Sequence, residues 1–220
     1  MSRFLASCII AEVPFHELAK CLLKFLLTVF LLLAAPSTSA LPLNSVCSNV
    51  GNSSLCLSVL SSYSSPQPFT HLQDLTAFVV SLSLTQVNAS YSLARYVSLE
   101  DGASVDYRMT LEDCLELMDD SRTSLQGALE GLIALATSAK GSAIRRQVVD
   151  VRVKLSESLT YMETCWEELA ENKGSKLDSL LHHAGQPEVE PLISMALSLA
   201  EKLQQPGGTS ALYDLPQRHR

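Results

Sequence analysis

Apolar residues recur along this chain at steps of three and four, the period of helices that bury one face, and alternating runs are too few for a sheet. Leu72, Leu75, Val79, Leu82, Val87, Tyr91 and Ala94 share one such face. They predict a helix from His71 to about Leu99, with Thr70 as N-cap and Glu100-Asp101-Gly102 as its stop. A second stripe, Leu111, Leu115, Met118, Leu125, Leu129, Leu132 and Ala136, predicts a helix from about Met109 to Thr137, with one gap at Arg122. Beyond a break at Gly141, Ile144, Val148, Val151, Leu155, Leu159, Met162 and Trp166 place a third helix from Ser142 to about Asn172. A short segment, Ser175 to Ala184, leads to Gly185-Gln186-Pro187. The last helix, from about Val189 to Leu203, is apolar at Leu192, Ile193, Ala196, Leu199 and Leu203. Four amphipathic helices on short connections predict an all-α protein, an up-down-up-down four-helix bundle.

Both flanks of this region break the pattern. Between Leu41 and Thr70 the chain is rich in serine, and Pro66 and Pro68 interrupt any regular helix, which predicts short helical pieces and a loop. Cys21 to Ala40 reads CLLKFLLTVFLLLAAPSTSA, an apolar run after Lys20 and Lys24 closed by small residues, with Thr38 and Ala40 where a signal peptidase reads. Phe25 to Ala35 falls short of the roughly 20 residues a membrane-spanning helix needs. Cleavage near Ala40 would divide the chain into a secretory leader, 1–40, a helical domain, 41–203, and a flexible C-terminal tail, 204–220. No stable membrane insertion is then expected. The stretch before Lys20 is long for a leader, so an uncleaved anchor or a start codon further upstream is the alternative.

Removing the leader takes Cys8 and Cys21 with it and leaves Cys47, Cys56, Cys114 and Cys165. An even number in a secretory context implies disulfides, and four cysteines can pair in three ways. If the helices on either side of Lys140-Gly141 form an antiparallel hairpin, residues equally far from that turn face each other. Cys114 and Cys165 lie about 26 and 25 residues out, roughly 38 Å at 1.5 Å per residue, which puts them side by side. Cys47 and Cys56 then remain, and bridging them requires the chain to fold back on itself near Gly51. The N-terminal segment is thus expected to be a disulfide-stapled helical hairpin. In a loop-entropy account the short bridge contributes about 2.7 kcal/mol and the long one about 4 kcal/mol.

Charge and chemistry narrow the function. The chain after residue 40 carries 13 Lys plus Arg against 21 Asp plus Glu, a balance that disfavours nucleic acid and suits either a basic partner or simple solubility. Asn52-Ser53-Ser54 and Asn88-Ala89-Ser90 are candidate glycosylation sequons, with Asn52 and Asn88 as acceptors. There is no Gly-x-Ser-x-Gly elbow and no phosphate-binding glycine loop. His71, His182, His183 and His219 lack the spacing of a metal site, and the cysteines are committed to disulfides, so neither a cofactor nor catalysis is expected. Function should reside in a surface. Glu112, Glu116, Asp119 and Asp120 fall on one face of the second long helix, either as a solvated exterior or as a partner-binding face. Thr164, beside Cys165, is expected to hold a packed hydroxyl that bonds within the bundle.

Taken together, Cys47-x8-Cys56, Leu111-Glu112-Asp113-Cys114-Leu115-Glu116-Leu117 with Asp120, Leu155-Ser156, Leu159-Thr160-Tyr161, Thr164-Cys165 and Ala196-Leu197-Ser198-Leu199 resemble the plant invertase and pectin methylesterase inhibitor domain. The resemblance covers about residues 45 to 203, and it rests on the order of the motifs together with both cysteine spacings. Many members carry Trp where this chain has Lys154, and often a small-residue pair followed by Asp-Gly-Phe where it has Glu157-Ser158 and Glu167-Glu168-Leu169; these departures bear on subfamily rather than fold. The resemblance implies a secreted protein of the apoplast or cell wall, not an enzyme, which binds a cell-wall enzyme and occludes its substrate cleft. A pectin methylesterase is the expected target ahead of an acid invertase of the cell wall or vacuole, since a Pro-Lys-Phe motif found in the invertase-inhibiting branch is absent. The alternative is the N-terminal inhibitory pro-region of a pectin methylesterase, encoded or truncated without its catalytic domain. The tail through Pro206-Gly207-Gly208 to Arg218-His219-Arg220 has the look of a linker nearing a basic processing site.

Overall fold

A computed structural model of the chain describes residues 41–48, 50–62, 69–99, 104–135, 142–171 and 189–205, which form six helices and no strand. These are α1 (Leu43–Cys47), α2 (Ser53–Ser62), α3 (Leu72–Ser98), α4 (Val105–Leu135), α5 (Ser142–Glu171) and α6 (Val189–Gln204). The expected leader, the turn at Lys140-Gly141, the segment from Ser175 to Ala184, His182, His183, His219 and all but the start of the tail lie outside the described residues.

The four long helices pack in a ring, α3 on α4, α4 on α5, α5 on α6 and α6 on α3. Their direction can be read from the cross-contacts. Cys114 meets Cys165, Ser121 meets Ser158, and the Gly131 carbonyl accepts from Gln147 Nε2 at 3.1 Å, so later positions on α4 face earlier ones on α5. The same inversion relates α3 to α4, where Gln73 Nε2 donates to the Leu132 carbonyl and Arg122 Nε to Asn88 Oδ1. Each of these neighbours is therefore antiparallel.

The buried face of α5 follows a strict alternation of four and three: Ile144, Val148, Val151, Leu155, Ser158, Met162, Cys165 and Leu169. The apolar reading placed Leu159 in this row, but the helical period selects Ser158, and Leu159 is only half-buried. On α4 the buried row runs through Leu111, Cys114, Met118, Ser121, Leu125, Ala128 and Leu132, so the apparent gap at Arg122 is filled by Ser121. Hydrophobicity alone hid both serines. They face each other across α4 and α5 with their Oγ atoms 2.7 Å apart, so two fully buried hydroxyls satisfy one another. On α3 the missed polar core residues are Gln73, Thr76, Ser83 and Ser90. Thr76 and Ser83 donate to the carbonyls one turn earlier, Leu72 and Val79, which removes the cost of burying their hydroxyls.

Two helix starts differ from expectation. His71, with extended backbone at φ −122° and ψ 139°, occupies the N-cap of α3, so the helix begins at Leu72 and Thr70 lies one residue outside. α4 begins four residues earlier than Met109, because Ser104 Oγ accepts from the Tyr107 amide at 3.2 Å and caps the first turn. Pro191 sits in the first turn of α6, where its missing N–H costs nothing.

α1 and α2 form the N-terminal hairpin, joined by Cys47–Cys56 with Cα atoms 5.6 Å apart. Asn52 Oδ1 caps α2 by accepting from the Leu55 amide at 3.1 Å. Cys47, Val50, Cys56 and Leu60 are buried with the bundle core. Lys202 Nζ of α6 donates to the Val46 carbonyl at 2.7 Å, reaching one of the last carbonyls of α1.

Candidate partner-binding surface

The buried row of α4 leaves Glu112, Asp113, Glu116, Asp119 and Asp120 exposed on its outer side. The four carboxylates expected from sequence, Glu112, Glu116, Asp119 and Asp120, all lie there, and Asp113, next to Glu112, belongs with them. The Cys114–Cys165 bridge, with Cα atoms 4.6 Å apart, pins this stretch to α5. Asp119 differs from the others. It accepts from Arg122 Nη1 at 2.6 Å, while Arg122 Nε donates to Asn88 Oδ1 at 2.6 Å and the guanidinium carbon lies 4.9 Å over the Tyr91 ring. Arg122 is therefore a clamp between α3 and α4, and Asp119 is one of its anchors. Among the described residues no ion pair engages Glu112, Asp113, Glu116 or Asp120. These four carboxylates face solvent.

At the end of the bundle where α3 finishes and α4 starts, Tyr96, Leu99, Val105 and Met109 stand 59–78% exposed. Sequence reading treated Leu99 and Met109 as helix limits and missed that these turns project apolar side chains outward. The signal was present, since none of the four belongs to the buried rows. Arg95 and Arg108 are exposed in the same turns. Across the bundle, burial raises the pKa of Glu190 on α6 above its ordinary 4.5, and Glu163 and Glu167 of α5 raise it further.

Three other residues singled out from sequence have local roles. Thr164 is half-buried, and its Oγ1 donates to the Thr160 carbonyl of the preceding turn at 2.9 Å, on the exposed side of α5. A threonine within a helix finds an acceptor one turn back before it can reach a neighbouring helix. The interhelical hydroxyl contact belongs to Ser121 and Ser158 instead. Asn52 is exposed at the start of α2, whereas Asn88 is half-buried in the middle of α3. Among the described residues no cluster of three His, Cys, Asp or Glu could hold a metal ion, and no helix is long and apolar enough to cross a membrane.

The described residues define a class of protein, a disulfide-stapled helical bundle whose exposed end combines carboxylates with large apolar side chains. Comparison with known proteins gives that class its family: residues 42–199 match the family described as plant invertase/pectin methylesterase inhibitor, and the chain belongs to it. The family's description names inhibitors of two enzymes, invertase and pectin methylesterase. The chain is 25% identical over 170 residues to pectinesterase/pectinesterase inhibitor U1 of Solanum lycopersicum, a match that covers 76% of this chain and 29% of that protein. It is 32% identical over 124 residues to pectinesterase inhibitor 3 of Arabidopsis thaliana, covering 56% of this chain and 60% of the relative. The chain thus spans under a third of the tomato relative's length. A solved pectin methylesterase inhibitor from Arabidopsis, a mutant form, shares the fold with a TM-score of 0.58 at 15% identity, over 74% of this chain and 97% of that one.

Proposed function

We propose that this chain is a secreted inhibitor that binds and blocks a cell-wall pectin methylesterase in the apoplast, with an acid invertase as the lower-ranked alternative target. Residues 1–40 serve as its secretory leader, 41–203 as the inhibitor domain and 204–220 as a tail. The observation that carries the target surface is the outer side of α4. Glu112, Asp113, Glu116 and Asp120 lie along one helix that begins with exposed Val105 and Met109. Exposed apolar side chains at the start of a helix whose outer side then carries carboxylates suit a partner that offers an apolar hollow with Lys and Arg on one side of it, because the charges steer the encounter and burial of Met109 and Leu99 holds it. Pectinesterase appears in the names of the relatives, which ranks it ahead of invertase.

The test is inhibition of a basic pectin methylesterase and of an acid invertase measured side by side. Glu112→Lys with Glu116→Lys should slow association with the target about tenfold or more at low salt, with the difference shrinking at high salt as charge steering is screened. Inhibition unchanged at every ionic strength would remove the α4 face from the interface. Asp119 is left intact because its replacement would also release the Arg122 clamp.

A second reading is supported by coverage. The 170 matched residues amount to 29% of the tomato relative, whose name joins an esterase to an inhibitor, so the same domain occurs within longer proteins. In that case the domain acts as the inhibitory pro-region of an esterase. Transcripts that all stop immediately after Arg220 would eliminate this alternative.

A further inference from the structure

The two sequons occupy unlike places in the fold. Asn52 is exposed at the N-cap of α2, and its Oδ1 accepts from the Leu55 amide at 3.1 Å and from Ser54 Oγ at 3.0 Å. Both bonds use the carbonyl oxygen. Among the described residues no bond engages Nδ2, so the amide nitrogen of the sequon is the part of the side chain left over by the cap. Asn88 lies in the middle of α3, a helix of 27 residues, and its Oδ1 receives Arg122 Nε at 2.6 Å in the seam between α3 and α4. The third sequon residue there, Ser90, is only 6% exposed. Because Nδ2 and Oδ1 share one carbon, a sugar on Asn88 would start beside the guanidinium that also holds Asp119 and covers Tyr91.

We propose that Asn52 carries an N-linked glycan and that Asn88 does not. The inference rests on the secretory reading above. Transfer from a lipid-pyrophosphate oligosaccharide donor forms the bond from Asn52 Nδ2 to the first sugar carbon and breaks the bond from that carbon to the pyrophosphate oxygen. One amide proton leaves to a base, and the lipid pyrophosphate departs. The product is a secondary amide that keeps its carbonyl oxygen, so the cap on Leu55 survives glycosylation. At Asn88 the product would crowd the Arg122 clamp. Glycan transfer precedes folding, so this crowding acts on the modified chain as a folding cost and removes it from the secreted population.

The test is the full chain expressed in plant cells and recovered from the extracellular fluid. Peptide N-glycosidase treatment in heavy-oxygen water converts each glycosylated Asn to labelled Asp, which peptide mass spectrometry locates. Label is expected at Asn52 and not at Asn88. Ser54→Ala, which destroys the sequon but keeps the Asn52 cap, should lose one glycan step in gel mobility, and Ser90→Ala should lose none. An extracellular chain labelled at Asn88, or unlabelled at Asn52, overturns the proposal and leaves the secretory reading standing. A chain found only inside the cytosol overturns both. Should Ser54→Ala fail to fold, the map of the unaltered chain still decides the matter.

Discussion

At the scale of single residues, the contact between α4 and α5 is set by small side chains. A Cβ added at Gly131 would come 2.7 Å from Val151 Cγ2, well inside van der Waals contact, whereas one at Gly127 would meet only the flexible end of Lys154 at 3.0 Å or more. Gly131→Ala is expected to cost about 1–3 kcal/mol through overpacking, while Gly127→Ala is neutral or mildly stabilising because alanine is the better helix former. Urea unfolding of the two variants would separate them; equal midpoints would contradict the close approach at Gly131. Ser121 and Ser158 provide the second case. Ser121→Ala should lower stability by about 1 kcal/mol, and adding Ser158→Ala should cost less than a second such loss, since either change already removes the bond between the two Oγ atoms. Additive losses in that double-mutant cycle would mean that the hydroxyls do not interact.

Among the elements, the junction of α5 with α6 carries a pH dependence. Burial, with Glu163 and Glu167 beside it, raises Glu190 above its ordinary 4.5, so the folded chain holds that proton more tightly than the unfolded chain. The stability supplied by the proton is fully present below 4.5 and is lost as pH rises through the raised value. Glu190→Gln, which keeps the shape without the charge, should therefore melt at a higher temperature than the parent at neutral pH and at the same temperature below 4.5. An equal difference at both pH values would show that charge is not the cause. Elsewhere the two helices are joined by Arg152, which meets Glu201 at 3.0 Å and also Gln204, an arrangement on the exposed side that adds little to stability.

Across the whole molecule, Cys114–Cys165 closes a loop of 51 residues that contains most of α4 and α5. Replacing both cysteines by serine is expected to cost about 4 kcal/mol in the loop-entropy account, far more than any surface charge pair, and a thermal melt unchanged by the replacement would refute that account. Much of this architecture was legible in the amino-acid order, because helical period, glycine breaks and the distances of the cysteines from a turn are all local or one-dimensional quantities. The four long helices and the exposed carboxylates of α4 follow from them. Ser121, Ser158 and Gln73 did not stand out, since a polar residue is recognisable as core only when its hydrogen-bond partner on another helix is known. Nor did Arg122, which breaks an apolar stripe in sequence but spans α3 and α4 through Asn88, Asp119 and Tyr91. Sequence alone determined the class of fold, through the repeated placement of apolar side chains on one side of each helix. Tertiary structure alone decided which polar groups are tied across helices and which remain outward for a partner, because that depends on side chains far apart in the chain meeting at hydrogen-bond distance.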